Sequence, residues 1–528
     1  MASVPHIHDE LAANPERVVV DTKYGSVTGG RAKNGTVTFL EIPYALPPGR
    51  FMDPEPLPPD YKYTKKEYIT EDTWAFQPRR DGGAAAGSYH VDQVGYGKPS
   101  ENPLFVNIFV PPSFPSQKGF PVKVYLHGGF LQYSSPHRIT YQNQFVAADR
   151  SEVWVNVGYR LSAFGFLACD EPKINGNFGF KDQWVALEWV RENISVFGGN
   201  LDNVQLVGLS GGAHAVHQNI HHVSHLPGGA QSPFQSAHLM SNAMVLTPKT
   251  PIEMRPQFQA FCRALHLDPV ASTILDDLRA VPAETICRTI ESKAAGPNNS
   301  TFRGCVNDDW LPSATDTMTW QRSGAFAQAL KQKGVHSIIV GDLTDEWYFY
   351  STSSVIEKPA DIVPNLERYY QDDIAEKIMG QYETLGDDAT PKECAKMFGR
   401  MTSDYQVHLP VRILARDLHD AGFPVLRYEI RWTPEQNRTD GYVTHGTDTY
   451  LWHLRLPSLE PSQAEIARAW IRRVDEERAV LECAGKSSRE NNEVFALCED
   501  RSIKWAEDDK WTEKMRLLIT LPGDPGDV

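Results

Sequence analysis

The residues of this chain with the clearest chemical potential stand far apart in sequence. In Val204-Gln-Leu-Val-Gly-Leu-Ser-Gly-Gly-Ala213, the stretch Gly208-Leu209-Ser210-Gly211-Gly212 fits the pattern G-x-S-x-G. It follows a run of branched apolar residues and precedes a helix-like stretch, the context in which that pattern exposes a nucleophile. A turn sharp enough to push a serine out at a strand's end brings backbone close on both sides, so flanking side chains would clash. Glycine-serine turns without chemical meaning are common as well, and the pattern alone does not separate the two.

A serine hydroxyl is a weak nucleophile near neutral pH; it needs a base, and that base needs an orienting acid. Amide donors must also meet the developing oxyanion. His445 in Thr444-His-Gly-Thr-Asp448 is the candidate base, and Glu346 in Gly341-Asp-Leu-Thr-Asp-Glu346 is the candidate acid. Asp345 fits as acid on spacing alone. Leu126-His-Gly-Gly-Phe130 offers the N–H groups of Gly128 and Gly129, to be joined by that of Gly211. Three roles at three strand ends coincide by accident far less often than one.

The elements that must hold these groups can be read from periodicity. Arg17 to Asp21 and Thr36 to Leu40 read as an antiparallel entry. Pro121–Leu126, Val153–Val157, Val204–Val207, Ser337–Val340 and Pro424–Ile430 are short runs rich in branched apolar residues, with helical patterns between them, notably Asp182–Asn193. Strands alternating with helices imply a mostly parallel central sheet with helices on both faces, an α/β fold. His445 then follows the last strand read this way. Residues 245–335 and 350–420 read as helical insertions that cap the sheet's carboxyl edge, where ligands of such sheets bind. The whole of 1–528 is expected to form one catalytic domain, with Gly82–Ser88 as a short loop.

Composition narrows the function. The 528 residues carry 52 Lys plus Arg against 67 Asp plus Glu, a formal charge of −15. An acidic surface repels phosphate backbones, which argues against a nucleic-acid partner. No run of apolar residues is long enough for a membrane-spanning segment. Met1 to Arg17 lacks the apolar core of a signal peptide, and His6 and His8 read as a solvated tail. The seven cysteines are odd in number, scattered and without a CxxC pair, so reduced thiols and a cytoplasmic location are expected. His214, His217, His221, His222 and His225 put several imidazoles on one helical face, a spacing that suits zinc or nickel. No carboxylate or cysteine lies among them, so packed, hydrogen-bonded histidines are the expected state and no metal is assigned.

Most of the chain resembles the type-B carboxylesterase/lipase family, which includes the cholinesterases. Val18 to Gly30, Glu41-Ile-Pro-Tyr-Ala45 and Gly49-Arg-Phe51 are similar to its first signature, and Ser100-Glu-Asn-Pro-Leu-Phe-Val-Asn-Ile-Phe109 to its second. Asn156-Val-Gly-Tyr-Arg-Leu161, Phe164-Gly-Phe166, Gly176-Asn-Phe-Gly-Phe-Lys-Asp-Gln183 and Phe197-Gly-Gly-Asn200 are similar to the segments leading to the nucleophile. The resemblance implies an α/β-hydrolase fold, with Ser210, Glu346 and His445 as triad and Gly128, Gly129 and Gly211 as oxyanion donors. It selects Glu346 over Asp345 and gives Asp448 a structural role. It also implies acyl and alcohol pockets near Trp310, Trp320, Trp347, Tyr348, Phe349, Tyr350 and Trp452. Trp347, beside the acid, is the expected pocket wall.

The departures from the family pattern are as informative. Leu209 stands where the family has glutamate, Gly211 where it has alanine, His127 at the first glycine of the oxyanion loop, and Trp347 where glycine follows the acid. Pro103 and Phe76 occupy the positions of a family disulfide, in keeping with reduced thiols. The expectation is a serine carboxylic-ester hydrolase that works through an acyl-enzyme on small or medium apolar esters, without cofactor or metal. Its rate should rise as His445 loses its proton. The reshaped surroundings motivate an alternative, a transacylase, lactonase or cyclase on the same scaffold. A binding module without catalysis fits less well, because all three triad residues are present.

Overall fold

Branched and aromatic side chains alternating along short segments give strands that bury both faces, and these assemble into one large sheet. The computed structural model describes residues 5–79 and 89–524; the loop expected at Gly82–Ser88 lies outside them. Fourteen strands occur among these residues. They are β1 (Arg17–Thr22), β2 (Gly25–Arg31), β3 (Val37–Pro43), β4 (Thr73–Ala75), β5 (Lys98–Ser100), β6 (Phe105–Val110) and β7 (Phe120–Leu126). There follow β8 (Val153–Val157), β9 (Gly199–Leu209), β10 (Ser236–Met240), β11 (Ser337–Leu343), β12 (Val425–Ile430), β13 (Glu493–Leu497) and β14 (Ile503–Glu507).

Twelve of them form a sheet in the order β1-β2-β3-β6-β8-β7-β9-β10-β11-β12-β13-β14. Pairing is parallel from β8 through β13 and antiparallel at both flanks. The chain therefore does not end its sheet at β12, as the sequence suggested. Two further strands follow, and the histidine loop precedes them.

Residue alternation along the parallel strands divides the core in two. Val204, Leu206, Ile338 and Val340 pack on one face with the helix Phe178–Asn193, while Val207, Leu209, Ile339 and Leu343 pack on the other with Trp452 and Trp470. The strand order reverses at β7, since β8 lies on one side of it and β9 on the other. A crevice opens at such a reversal beyond the strands' carboxyl ends. Gly128 and Ser210 both stand there.

Residues 251–332 contribute the helices Pro251–Ala264, Ile274–Ala280, Ala283–Glu291, Thr317–Arg322 and Ala325–Gln332. Residues 362–420 contribute Ile362–Leu366, Asp372–Met379, Pro391–Ser403 and Leu409–Asp420. All seven cysteines are unpaired. The segments that Pro103 and Phe76 leave without a disulfide are instead joined by the β4–β5 ladder and by the Phe76 N–H, which donates to Ser100 O at 3.0 Å. His6, expected in a solvated tail, is buried: its Nδ1 lies 3.1 Å from Glu71 Oε1. His8 Nδ1 accepts the Glu71 N–H at 3.0 Å, so the histidines anchor the first helix, Ile7–Ala13, to the body.

Candidate active site

Ser210 sits between β9 and the helix Gly211–Ser224 with φ 59° and ψ −124°, a conformation that side-chain-bearing residues rarely adopt. Such strain costs on the order of 1–3 kcal/mol and persists only where the surroundings hold it. Here the Ser210 N–H donates to Met240 O at 2.8 Å, and its carbonyl accepts the His214 N–H at 3.0 Å. The flanking glycines are required by space. A Cβ on Gly208 would lie 2.3 Å from Gly212 O, and one on Gly212 would lie 2.0 Å from Leu126 O.

His445 is held from the far side. Its Nδ1 donates to Glu346 Oε2 at 2.6 Å, and Glu346 Oε1 accepts the Leu343 N–H at 3.2 Å. Glu346 is fully buried at the first turn of the helix Glu346–Ser351, which begins just beyond β11. Asp345 is turned away: its carboxylate accepts the Val443 N–H at 3.2 Å. With a proton on Nδ1, His445 Nε2 is an acceptor, and it has no hydrogen-bond partner among the described residues. Ser210 and His445 line the same cavity of about 400 Å³, together with Gly128, Gly129, Phe130 and Phe349.

Two further buried side chains stand beside this centre. Asp448 is fully buried, with Oδ2 accepting the Trp452 indole N–H at 3.0 Å and Oδ1 unpartnered among the described residues. Burial first, and the Glu346 charge second, push its carboxyl up to about 7. His127 stacks on Tyr159, with ring centroids 4.5 Å apart, and its Nδ1 donates to the Gly128 carbonyl at 2.9 Å. Burial lowers it to about 4, so a neutral ring braces the Gly128 peptide and no cation stands in that loop.

The expected pocket wall is elsewhere. Trp347 does not border the cavity at Ser210; it borders a separate cleft with Lys396, Arg400 and Lys514, and its ring packs on Tyr442. Positions i and i+3 of a helix share a face and i+1 does not. Phe349, three residues past Glu346, therefore takes the place: its ring stacks on His445 at 4.6 Å. Of the other aromatics expected near the pockets, Tyr348 lines the cavity, whereas Trp310 stacks on His222 and Trp452 packs on His238 and Tyr428.

The histidine-rich helix is packed. His217 accepts the Met244 N–H at Nδ1 and donates from Nε2 to Gln321 Oε1 at 2.9 Å, and His222 Nδ1 bonds Trp310 O at 2.8 Å. Burial lowers His217 to about 4. No group of His, Cys, Asp and Glu among the described residues is arranged to hold a metal ion. No helix among them is long and apolar enough to cross a membrane. Sequence reasoning missed Phe130 and Tyr133 as cavity walls; the aromatic following two glycines was the available signal.

Parallel strands whose order reverses where the nucleophile turn and the glycine loop meet define the α/β-hydrolase fold. Solved structures of PNB esterase share it, one with a TM-score of 0.72 at 24% identity over 94% of this chain and 99% of that one. The chain belongs to the carboxylesterase family, which matches residues 16–472, and it is a carboxylic ester hydrolase. It is 28% identical over 422 residues to the para-nitrobenzyl esterase of Bacillus subtilis, covering 79% of each chain. It is 26% identical over 463 residues to liver carboxylesterase B-1 of Rattus norvegicus, covering 82% of this chain and 80% of that protein. A Schizosaccharomyces pombe protein described as an uncharacterized esterase/lipase is 28% identical over 452 residues, with 81% of each covered.

Proposed function

We propose that Ser210, His445 and Glu346 hydrolyse small or medium carboxylic esters through an acyl-enzyme. His445 Nε2 takes the hydroxyl proton as Ser210 Oγ attacks the ester carbonyl. Glu346 keeps the imidazole in the productive tautomer and stabilises the imidazolium. The N–H groups of Gly128, Gly129 and Gly211 receive the tetrahedral oxyanion, each donor contributing about 3 kcal/mol to the transition state. The imidazolium returns its proton to the leaving alcohol, and a water deprotonated by His445 releases the acid.

The observation that supports this most is the state of His445: tied at Nδ1 to a buried carboxylate, free at Nε2, and facing the cavity that Ser210 lines. Replacing Ser210 by alanine tests it. The Ser210→Ala enzyme should lose para-nitrophenyl butyrate turnover by about four orders of magnitude or more while keeping its thermal unfolding midpoint. Turnover that survives would remove Ser210 as nucleophile.

A further inference from the structure

The cavity shared by Ser210 and His445 has one permanently charged side chain on its wall, Arg138, and no carboxylate among the described residues that line it. The chain as a whole carries a formal charge of −15, so this wall is opposite in sign to the protein around it. A cavity lined by charge of one sign concentrates ligands of the other. The hydrolysis described above makes no use of that guanidinium.

Arg138 follows His137 in extended backbone, with φ −50° and ψ 130°, where successive side chains point to opposite sides. His137 turns into the protein: it is fully buried, and its Nε2 lies 3.0 Å from Glu41 Oε1. Arg138 thereby faces the cavity, half-buried. Its backbone is pinned on both sides, the N–H donating to Ser135 O at 3.2 Å and the carbonyl accepting the Tyr141 N–H at 2.8 Å. The guanidinium lies over the Tyr141 ring at 5.2 Å and has no hydrogen bond or ion pair among the described residues. Its charge reaches the buried Tyr125 and His127 behind the oxyanion loop, so it stands within the wall.

Resting on the acyl-enzyme reading, we infer that Arg138 sets specificity by pairing with a carboxylate on the alcohol part of the ester. The preferred substrates are then acylated hydroxy acids. The side follows from position. The turn Ile139–Tyr141, just past Arg138, packs against the helix Thr449–Trp452, and the Tyr141 ring lies 5.9 Å from that of His453. Between His445 and that helix, Gly446 and Thr447 carry the same wall onward, and Thr449 and Tyr450 continue it. The leaving oxygen must lie against His445, which protonates it, so the group attached to that oxygen runs along this wall toward Arg138. The charge follows from geometry. A guanidinium with one face on a ring keeps its N–H edge for a planar, two-oxygen anion.

The test compares 3-carboxyphenyl butyrate with its neutral counterpart, 3-carbamoylphenyl butyrate, in the unaltered enzyme, Arg138→Met and Arg138→Lys. The ratio of kcat/KM for the acidic over the neutral ester should fall about tenfold in Arg138→Met, the effect of losing one charge-assisted hydrogen bond. It should be partly kept in Arg138→Lys. Added salt should erode the ratio in the unaltered enzyme and leave it unmoved in Arg138→Met. In parallel, calorimetric binding of 3-hydroxybenzoate to Ser210→Ala should disappear when Arg138→Met is added. An Arg138 kept only for structure would slow both esters alike; a ratio and a 3-hydroxybenzoate affinity that ignore Arg138 overturn the inference. So does a dependence on Arg138 seen only when the carboxylate is on the acyl side, in phenyl hydrogen adipate against phenyl heptanoate. If neither butyrate is turned over while 3-hydroxybenzoate binding still depends on Arg138, the acyl-enzyme reading fails and the anion site stands.

Discussion

A close backbone contact in the proposed oxyanion site gives a sharp prediction, Gly211→Ala. The family places alanine at this position, yet here a Cβ on Gly211 would lie 2.9 Å from Phe130 N, 3.0 Å from Leu131 N and 3.1 Å from Phe130 Cα. Comfortable carbon contacts begin at about 3.5 Å, so the loop must retreat by roughly 0.5 Å. No flexible side chain can absorb this, because all three atoms are backbone. Phe130 and Leu131 both have positive φ, 56° and 67°, which leaves that backbone little freedom to adjust. The segment that moves carries Gly128 and Gly129. Misplacing catalytic groups by about 1 Å costs on the order of a hundredfold, so half that displacement should lower kcat by about ten- to a hundredfold. Overpacking should cost about 1–3 kcal/mol of stability. Steady-state kinetics on para-nitrophenyl butyrate, with thermal unfolding beside it, reads both effects. The loss should fall on kcat more than on KM, since the oxyanion contacts strengthen in the transition state. A Gly211→Ala enzyme with kcat within twofold of the parent and an unchanged midpoint would refute the argument that this loop is fixed against the nucleophile turn.

Other expectations follow from neighbouring residues. Leu209→Glu restores the family's residue, but Leu209 packs in the apolar core with Val207, Met240 and Tyr428. An unpaired carboxylate there should destabilise the fold by about 3 kcal/mol or more, and chemical denaturation at neutral pH showing no loss would contradict this. Asp448 binds its proton more tightly when folded, at about 7 against an ordinary 3.8. Its contribution to stability is therefore complete below pH 3.8 and is lost as pH rises to about 7. Asp448→Asn, which keeps an acceptor for Trp452, should gain stability relative to the parent across that window, by up to about 4 kcal/mol. Parallel stability curves for the two proteins from pH 4 to 8 would count against the assignment.

Much of this architecture was legible because the central strands are written in branched apolar residues. β8 carries that signal at alternate positions and β12 at its two ends, and the glycines around Ser210 announce the turn. β10 was invisible: Ser-Ala-His-Leu-Met has neither alternation nor β-branched residues, and its conformation is imposed by pairing with β9 and β11 on either side. β13 and β14 were missed because they are short and lie at the sheet's end. At the site, the failure over Trp347 arose from reading adjacency along the chain as adjacency in space. In the helix Glu346–Ser351 the geometry favours Phe349. The pairing of Glu346 rather than Asp345 with His445 rests on helix entry, which turns one carboxylate inward and leaves the other on the Val443 N–H.

The cooperation of Ser210 with His445 and Glu346 is tested most directly by the intact mass of the protein after reaction with a fluorophosphonate. One adduct per chain is expected, located on the peptide containing Ser210, absent from Ser210→Ala, and formed at least a hundredfold more slowly in His445→Ala. An adduct on another residue, or labelling of His445→Ala at the parent's rate, would contradict the account.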